Sequence, residues 1–228
     1  MLNQLLISSV FLTAILSFLL GGFSFIRNPK SLVIKLWTLF AFVVGMTNLS
    51  FWFLLISKTS GEALFYSKFL HFWLPLISIF FLHFVLSFTY PIIKPKKVLV
   101  DLGYILAILF SIIALSTNLL VKGISSKAGF TLLPDTGTLY PLLLIYYIIA
   151  AVFAFTYLTK AFLNSDGVLK KKFFWVLVGI LVLFITSSSG HVAEALGVFP
   201  YGYLLAWIYP IFITYGVFMD DFKFRFKS

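Results

Sequence analysis

Apolar residues in this chain come in seven long, nearly unbroken runs, at about 4–26, 31–57, 68–90, 98–121, 140–163, 172–196 and 200–219, with short polar stretches between them. A helix needs roughly 20 mainly apolar residues to cross the hydrocarbon core of a bilayer. Every run meets that length, and none shows the roughly ten-residue alternation of an outer-membrane barrel strand. The expected fold class is therefore all-α: an integral membrane bundle of seven transmembrane helices. One domain spans 1–228, and 220–228 forms a short basic tail.

Turn chemistry punctuates the runs. Asn28-Pro29-Lys30-Ser31 follows span 1, Pro91 and Pro95 with Lys94, Lys96 and Lys97 follow span 3, and Asn164-Ser165-Asp166-Gly167 follows span 5, because Pro, Gly and Asn suit tight turns. The longest connection, 122–139, carries Gly123, Gly129, Pro134, Asp135 and Gly137 around the stretch Ala128–Leu133. It reads as a short hairpin or lid, or as a plain exposed loop. Within the spans, Pro75 and Pro210 each remove a backbone donor and are expected to kink spans 3 and 7.

Composition strengthens the membrane assignment. The chain is 61% hydrophobic and 11% charged, with a mean hydropathy of +1.09, and a water-soluble globule of this size could not cover that much apolar surface. Charge then orients it. Arg27, Lys30, Lys35, Lys94, Lys96, Lys97, Lys160, Lys170, Lys171, Lys172, Lys223, Arg225 and Lys227 fall on one side of the alternating connections, and only Lys58, Lys68, Lys122 and Lys127 on the other. The positive-inside rule places the N-terminus outside and the C-terminus in the cytoplasm, in a multi-pass protein of the inner (plasma) membrane. The net charge of +10 is spread over short loops and a tail, which suits anionic membrane lipids and excludes nucleic acid as a partner. There is no cysteine, hence no disulfide and no thiolate metal site.

Candidate chemistry lies in polar groups within the spans, where burial of an ionisable side chain is costly enough to suggest function. His71 stands near the outer start of span 3, flanked by Phe69, Phe72 and Trp73, with Trp52 closing span 2 nearby. These aromatics could line an outward pocket, or belong to the interfacial belt common in membrane proteins. Asn48 in span 2 and Tyr203 at the start of span 7 complete that group. His191 and Glu194, spaced i, i+3 near the outer end of span 6, share a helical face and could hold a proton, cation or ligand. His83 and Asp101, from adjacent spans, form a candidate buried polar pair. No metal site or cofactor is expected; the nearest grouping is His71, His191 and Glu194. Phosphate loops, zincin motifs and nucleophile elbows are missing from the sequence, so no enzyme is expected. Residues 200–219 contain no lysine for a retinal Schiff base.

The stretches Leu74-Pro75-Leu76 through Leu82-His83-Phe84-Val85-Leu86 in span 3, Pro200-Tyr201-Gly202-Tyr203-Leu204-Leu205-Ala206 opening span 7, and Ile213-Thr214-Tyr215-Gly216-Val217, with Trp52 closing span 2, resemble the bacterial N-terminal seven-helix region of sensor histidine kinases. The resemblance implies a membrane sensor of signal transduction. In such a module the last helix passes a signal to a cytoplasmic kinase or cyclic-dinucleotide cyclase. An external or lipidic ligand bound among spans 2, 3, 6 and 7 is the expected input, and a homodimer is one assembly open to it. The chain departs from that pattern after Asp220, where no phosphoacceptor helix, ATP-binding domain or cyclase follows. Either an output module has been removed or the protein signals through a separate partner. The alternative class is a small seven-helix membrane transporter built as two triple-helix bundles, with Pro75 and Pro210 as loosely corresponding helix breaks.

Overall fold

The structure, a computed structural model, describes residues 2–93, 97–127, 129–196 and 198–225, without the side chains of 187–192, 194, 195 and 220–225. The described α-helices are α1 (Leu2–Arg27), α2 (Leu32–Ile56), α3 (Ser60–Thr89), α4 (Lys97–Ser116), α5 (Tyr140–Leu163), α6 (Gly167–Leu196) and α7 (Tyr209–Arg225). A 3-10 helix, Tyr201–Ile208, leads into α7. Among the described residues, six segments are long and apolar enough to cross a membrane: α1 to α5, and Tyr201–Met219, which joins the 3-10 helix to α7.

Local sequence starts the helices where they start. Ser31 caps α2 by accepting from Ile34 N. Thr59 and Glu62 form a reciprocal capping box at the head of α3, which satisfies donors that would otherwise be orphaned. That box explains why α3 begins at Ser60 and not near 68, as hydrophobicity alone predicts: the helix continues beyond its apolar stretch. Gly167, with φ +58, supplies the left-handed turn from which α6 emerges.

The helices pack inside out relative to a soluble protein. Outward faces carry Leu19, Ile26, Ile105, Ile112, Leu142, Ile148 and Ile185, all exposed, as lipid-facing surfaces should be. The buried face of α1 is instead small and weakly polar, with Ser9, Thr13, Ala14, Ser17, Gly21 and Ser24 at helical spacing. The hydroxyls of Thr13, Ser17 and Ser24 donate to carbonyls one turn earlier, so no polar group is stranded, and Gly21 lets α1 approach Ala41 of α2 closely. Between α2 and α3 lies an aromatic core of Trp37, Phe40, Phe81 and Phe84.

Pro75 sits inside α3 and has no N–H to give to the His71 carbonyl. Neighbouring helices hold the backbone around it. Ser111 of α4 donates to the Phe72 carbonyl at 2.8 Å, and the Tyr146 hydroxyl of α5 lies 3.3 Å from the Pro75 carbonyl and 3.1 Å from that of Gly103. Tyr146 thus ties three helices at one point. Tyr146→Phe should lower stability by about 1 kcal/mol, the usual worth of one such bond, measured by reversible unfolding in mixed micelles; no loss would mean that the bond is not formed in the bilayer.

Two expectations need correcting. The chain is mostly helical but not all-α: Val121–Lys127 (β1) and Phe130–Thr136 (β2) pair antiparallel around Gly129, whose φ is 79°. Val121, assigned above to span 4, belongs to this hairpin, and α4 ends at Ser116. The hairpin folds over the end of the bundle. Phe130 and Leu133 are buried against Leu6 and Val10 of α1, Phe130 stacks on Phe199 at 5.9 Å, and Asn3 donates to the Gly129 carbonyl at 2.9 Å. Ser125 and Lys127 hold Asp135 at 2.6 and 3.5 Å. The second correction concerns Pro210, which falls in the first turn of α7, where its missing donor is tolerated. The break in span 7 is the 3-10 segment before it.

Candidate functional site

The 3-10 helix is held in place by α1. Ser9 Oγ lies 2.8 Å from the Tyr203 carbonyl and 2.9 Å from that of Leu204. Runs of 3-10 geometry longer than 3–4 residues are uncommon, and mid-span they often mark a hinge; this one has 8. On its inner side Tyr203 and Ala206, with Tyr209 from α7, close a cavity of about 40 Å³ lined also by Thr47, Asn48 and Phe51 of α2, Leu70 and Leu74 of α3, Tyr147 of α5 and Leu183 of α6. One water needs ~10–15 Å³ by this measure, so the cavity has room for a few waters or a small polar group.

Its hydrogen-bonding capacity is specific. Asn48 donates its amide to the Val44 carbonyl at 2.9 Å, and its side-chain oxygen has no protein partner among the described residues. Thr47 is satisfied by the Val43 carbonyl at 2.8 Å. Tyr209 is buried, with Ser17 and the Tyr147 phenol as its polar neighbours. No charged side chain lines the cavity among the described residues. The site can therefore orient an uncharged donor or acceptor and would repel an unpaired ion through desolvation.

The sequence-selected residues divide. Asn48 and Tyr203 meet in this cavity. Trp52 lies in the neighbouring cluster under the hairpin, 5.0 Å from the Phe11 ring. His71 is 1% exposed, its Nδ1 2.8 Å from the Ser67 carbonyl and its ring 5.7 Å from Tyr140, away from the cavity lining. Trp73 packs among Phe42, Phe69 and Phe72, and its buried Nε1 has no hydrogen-bond partner among the described residues. His83 Nδ1 contacts the Tyr104 hydroxyl at 2.9 Å; Asp101 is exposed one turn earlier on α4. The side chains of His191 and Glu194 lie outside the described residues. Sequence reasoning passed over Tyr147, Tyr209 and Tyr104, whose only available signal was a phenol inside an apolar span.

Comparison with known proteins agrees with this architecture. The family described as the N-terminal 7TM region of histidine kinase matches residues 9–222, which takes in α1 from Ser9 onward, the hairpin, the 3-10 helix and nearly all of α7. A search of the curated proteins gives no match. With the match covering nearly the entire length, the chain belongs to the family of N-terminal seven-transmembrane regions of histidine kinases, a class of multi-pass membrane sensor input regions.

Proposed function

We propose that this single domain is a seven-span input module, α6 supplying the seventh crossing, with the N-terminus and hairpin outside the inner membrane and the basic end of α7 in the cytoplasm. An external or membrane ligand engages the Asn48–Tyr203 cavity and shifts the 3-10 segment, and α7 carries that shift to a cytoplasmic kinase output partner. Trp52, in the cluster beneath the hairpin, and Trp73 and His71, packed on α3 outside the cavity lining, are further candidates for ligand contact. His191 and Glu194 stand at the same end of the bundle by their position on α6. The reading is carried by one observation: the cavity wall and the start of the exit helix are the same residues, Tyr203, Ala206 and Tyr209. A ligand that prefers one arrangement of that wall changes the population of exit-helix positions.

The cysteine-free chain makes the test clean. Spin labels at Ile26→Cys on α1 and Tyr215→Cys on α7, both exposed positions, report the exit helix in lipid nanodiscs. A panel of external pH, ions, peptides and lipid compositions should include at least one condition that moves the distance distribution by about 1–2 Å. An unchanged distribution across the panel sinks the relay.

A further inference from the structure

A second, larger cavity adjoins the central one. It measures about 310 Å³ and lies between α3, α5 and α6, with Ser78, Phe81, Val152, Phe155, Ile180 and Phe184 in its wall. These residues sit near the middles of their helices, so the cavity is at mid-bilayer depth. Ile77, Tyr147 and Leu183 line both cavities, so a single layer of side chains separates them.

The chemistry of the larger cavity is hydrocarbon chemistry. No charged side chain lines it among the described residues, and the lining is almost wholly apolar. Its size is at the lower end of small-molecule sites, roughly 300–1,000 Å³. Water does not fill cavities of this kind. The mouth is framed by Val152, Phe155, Leu181 and Phe184, which are 56%, 38%, 40% and 39% exposed on the faces of membrane-crossing helices, so what meets it is lipid. A polar end lies across the shared wall, where the Asn48 side-chain oxygen has no protein partner among the described residues.

We propose that the two cavities together bind a neutral single-chain amphiphile taken laterally from the bilayer between α5 and α6. The chain occupies the α3–α5–α6 cavity, and a small uncharged head bearing a hydroxyl or carbonyl passes Tyr147 to meet Asn48 and Tyr203. A charged head is excluded because neither lining offers a counter-ion, and a phospholipid head is excluded because the central cavity is too small. The inference deepens the proposed function by naming its ligand class. It rests on that reading only for what binding then does to α7.

The test uses the full chain in nanodiscs and a long-chain alcohol carrying a mid-chain diazirine, with labelled residues mapped by mass spectrometry. Labels are expected on the α3, α5 and α6 lining, and unlabelled alcohol of the same length competes, while the matching carboxylate and quaternary ammonium do not. Val152→Trp, at the exposed mouth, should reduce labelling about tenfold, and Ile112→Trp, on the exposed face of α4, should leave it unchanged. Asn48→Leu should weaken competition by the alcohol severalfold while the labelled positions stay the same. Labels spread evenly over all exposed faces, indifference to Val152→Trp, or equal competition by the charged analogues would each overturn the proposal. The spin-label distance on the same samples separates the two ideas: specific labelling with a motionless α7 defeats the relay and leaves the binding site standing, whereas failure of labelling defeats the ligand class alone.

Discussion

Trp37→Ala is expected to lower the unfolding free energy by about 3 kcal/mol, at the lower end of what removing a buried tryptophan usually does. Trp37 is fully buried, with its ring 5.7 Å from both Phe40 and Phe84 and its Nε1 donating to Ser24 Oγ at 3.1 Å. In water much of the penalty would be lost transfer energy. In a bilayer the unfolded helices remain among lipid chains as apolar as the core, so that part shrinks. What persists is the void and the dispersion attraction its walls no longer feel, because α2 and α3 cannot both close onto an alanine while Phe81 and Phe84 keep their places. Trp37→Phe separates the causes. It keeps most of the volume and loses only the bond to Ser24, whose own hydroxyl stays engaged with the Leu20 carbonyl, so a loss of about 1 kcal/mol or less is expected. Reversible unfolding in mixed micelles checks both, and a Trp37→Ala protein within about 0.5 kcal/mol of the parent would show that this aromatic core does not hold the helices together.

The helices were legible in the sequence because the bilayer imposes one rule over a long window, and a run such as 140–163 satisfies it without reference to any neighbour. What depends on a partner was harder to see. Hydropathy placed the start of span 3 near 68, since it cannot detect the capping box of Thr59 and Glu62 that starts α3 at Ser60. The turn residues around Ala128–Leu133 suit a hairpin or lid and a plain exposed loop equally, and what decides between them is Phe130 finding Phe199, a contact between residues far apart along the chain in no regular pattern. Pro210 suggested a kink, whereas the break that matters, the 3-10 geometry of Tyr201–Ile208, is fixed by Ser9 of α1, far away in sequence. The candidate site shows the same limit. Ionisable residues attracted attention because they are rare at depth, yet His71 and His83 are engaged by Ser67 and Tyr104, and the cavity is built from Asn48 and three tyrosines whose convergence requires α2, α5 and the start of span 7 to be packed first.

Gly216→Leu is expected to destabilise the protein by about 3 kcal/mol, the upper end for overpacking, and to displace the exit helix. A Cβ at Gly216 would lie 2.9 Å from Val176 N and 3.0 Å from the Lys172 carbonyl. Both are backbone atoms of α6, so no rotamer change can relieve the clash. One turn closer to the cavity, Ile213 of α7 presses on Gly179 of α6 in the same way. The two glycines thus form one close seam, with Trp175 stacked on Phe212 at 5.7 Å beside it. Small residues are what let transmembrane backbones approach this closely. Gly22→Leu is the matched control, since nothing lies within 4 Å of the added Cβ, and it should stay within about 0.5 kcal/mol of the parent. The functional consequence follows from rigidity. A seam with no slack makes α7 move with α6 or slide along it as a unit, so a shift at Tyr203 and Ala206 reaches the far end of α7 without being absorbed. Forcing the seam apart should increase the distance between labels at Phe174→Cys and Ile211→Cys, two exposed positions, and abolish any ligand-dependent change at the end of α7. If Gly216→Leu proves as stable as Gly22→Leu with the label distance unchanged, α6 and α7 are not in contact as described, and the route from cavity to exit helix fails with them.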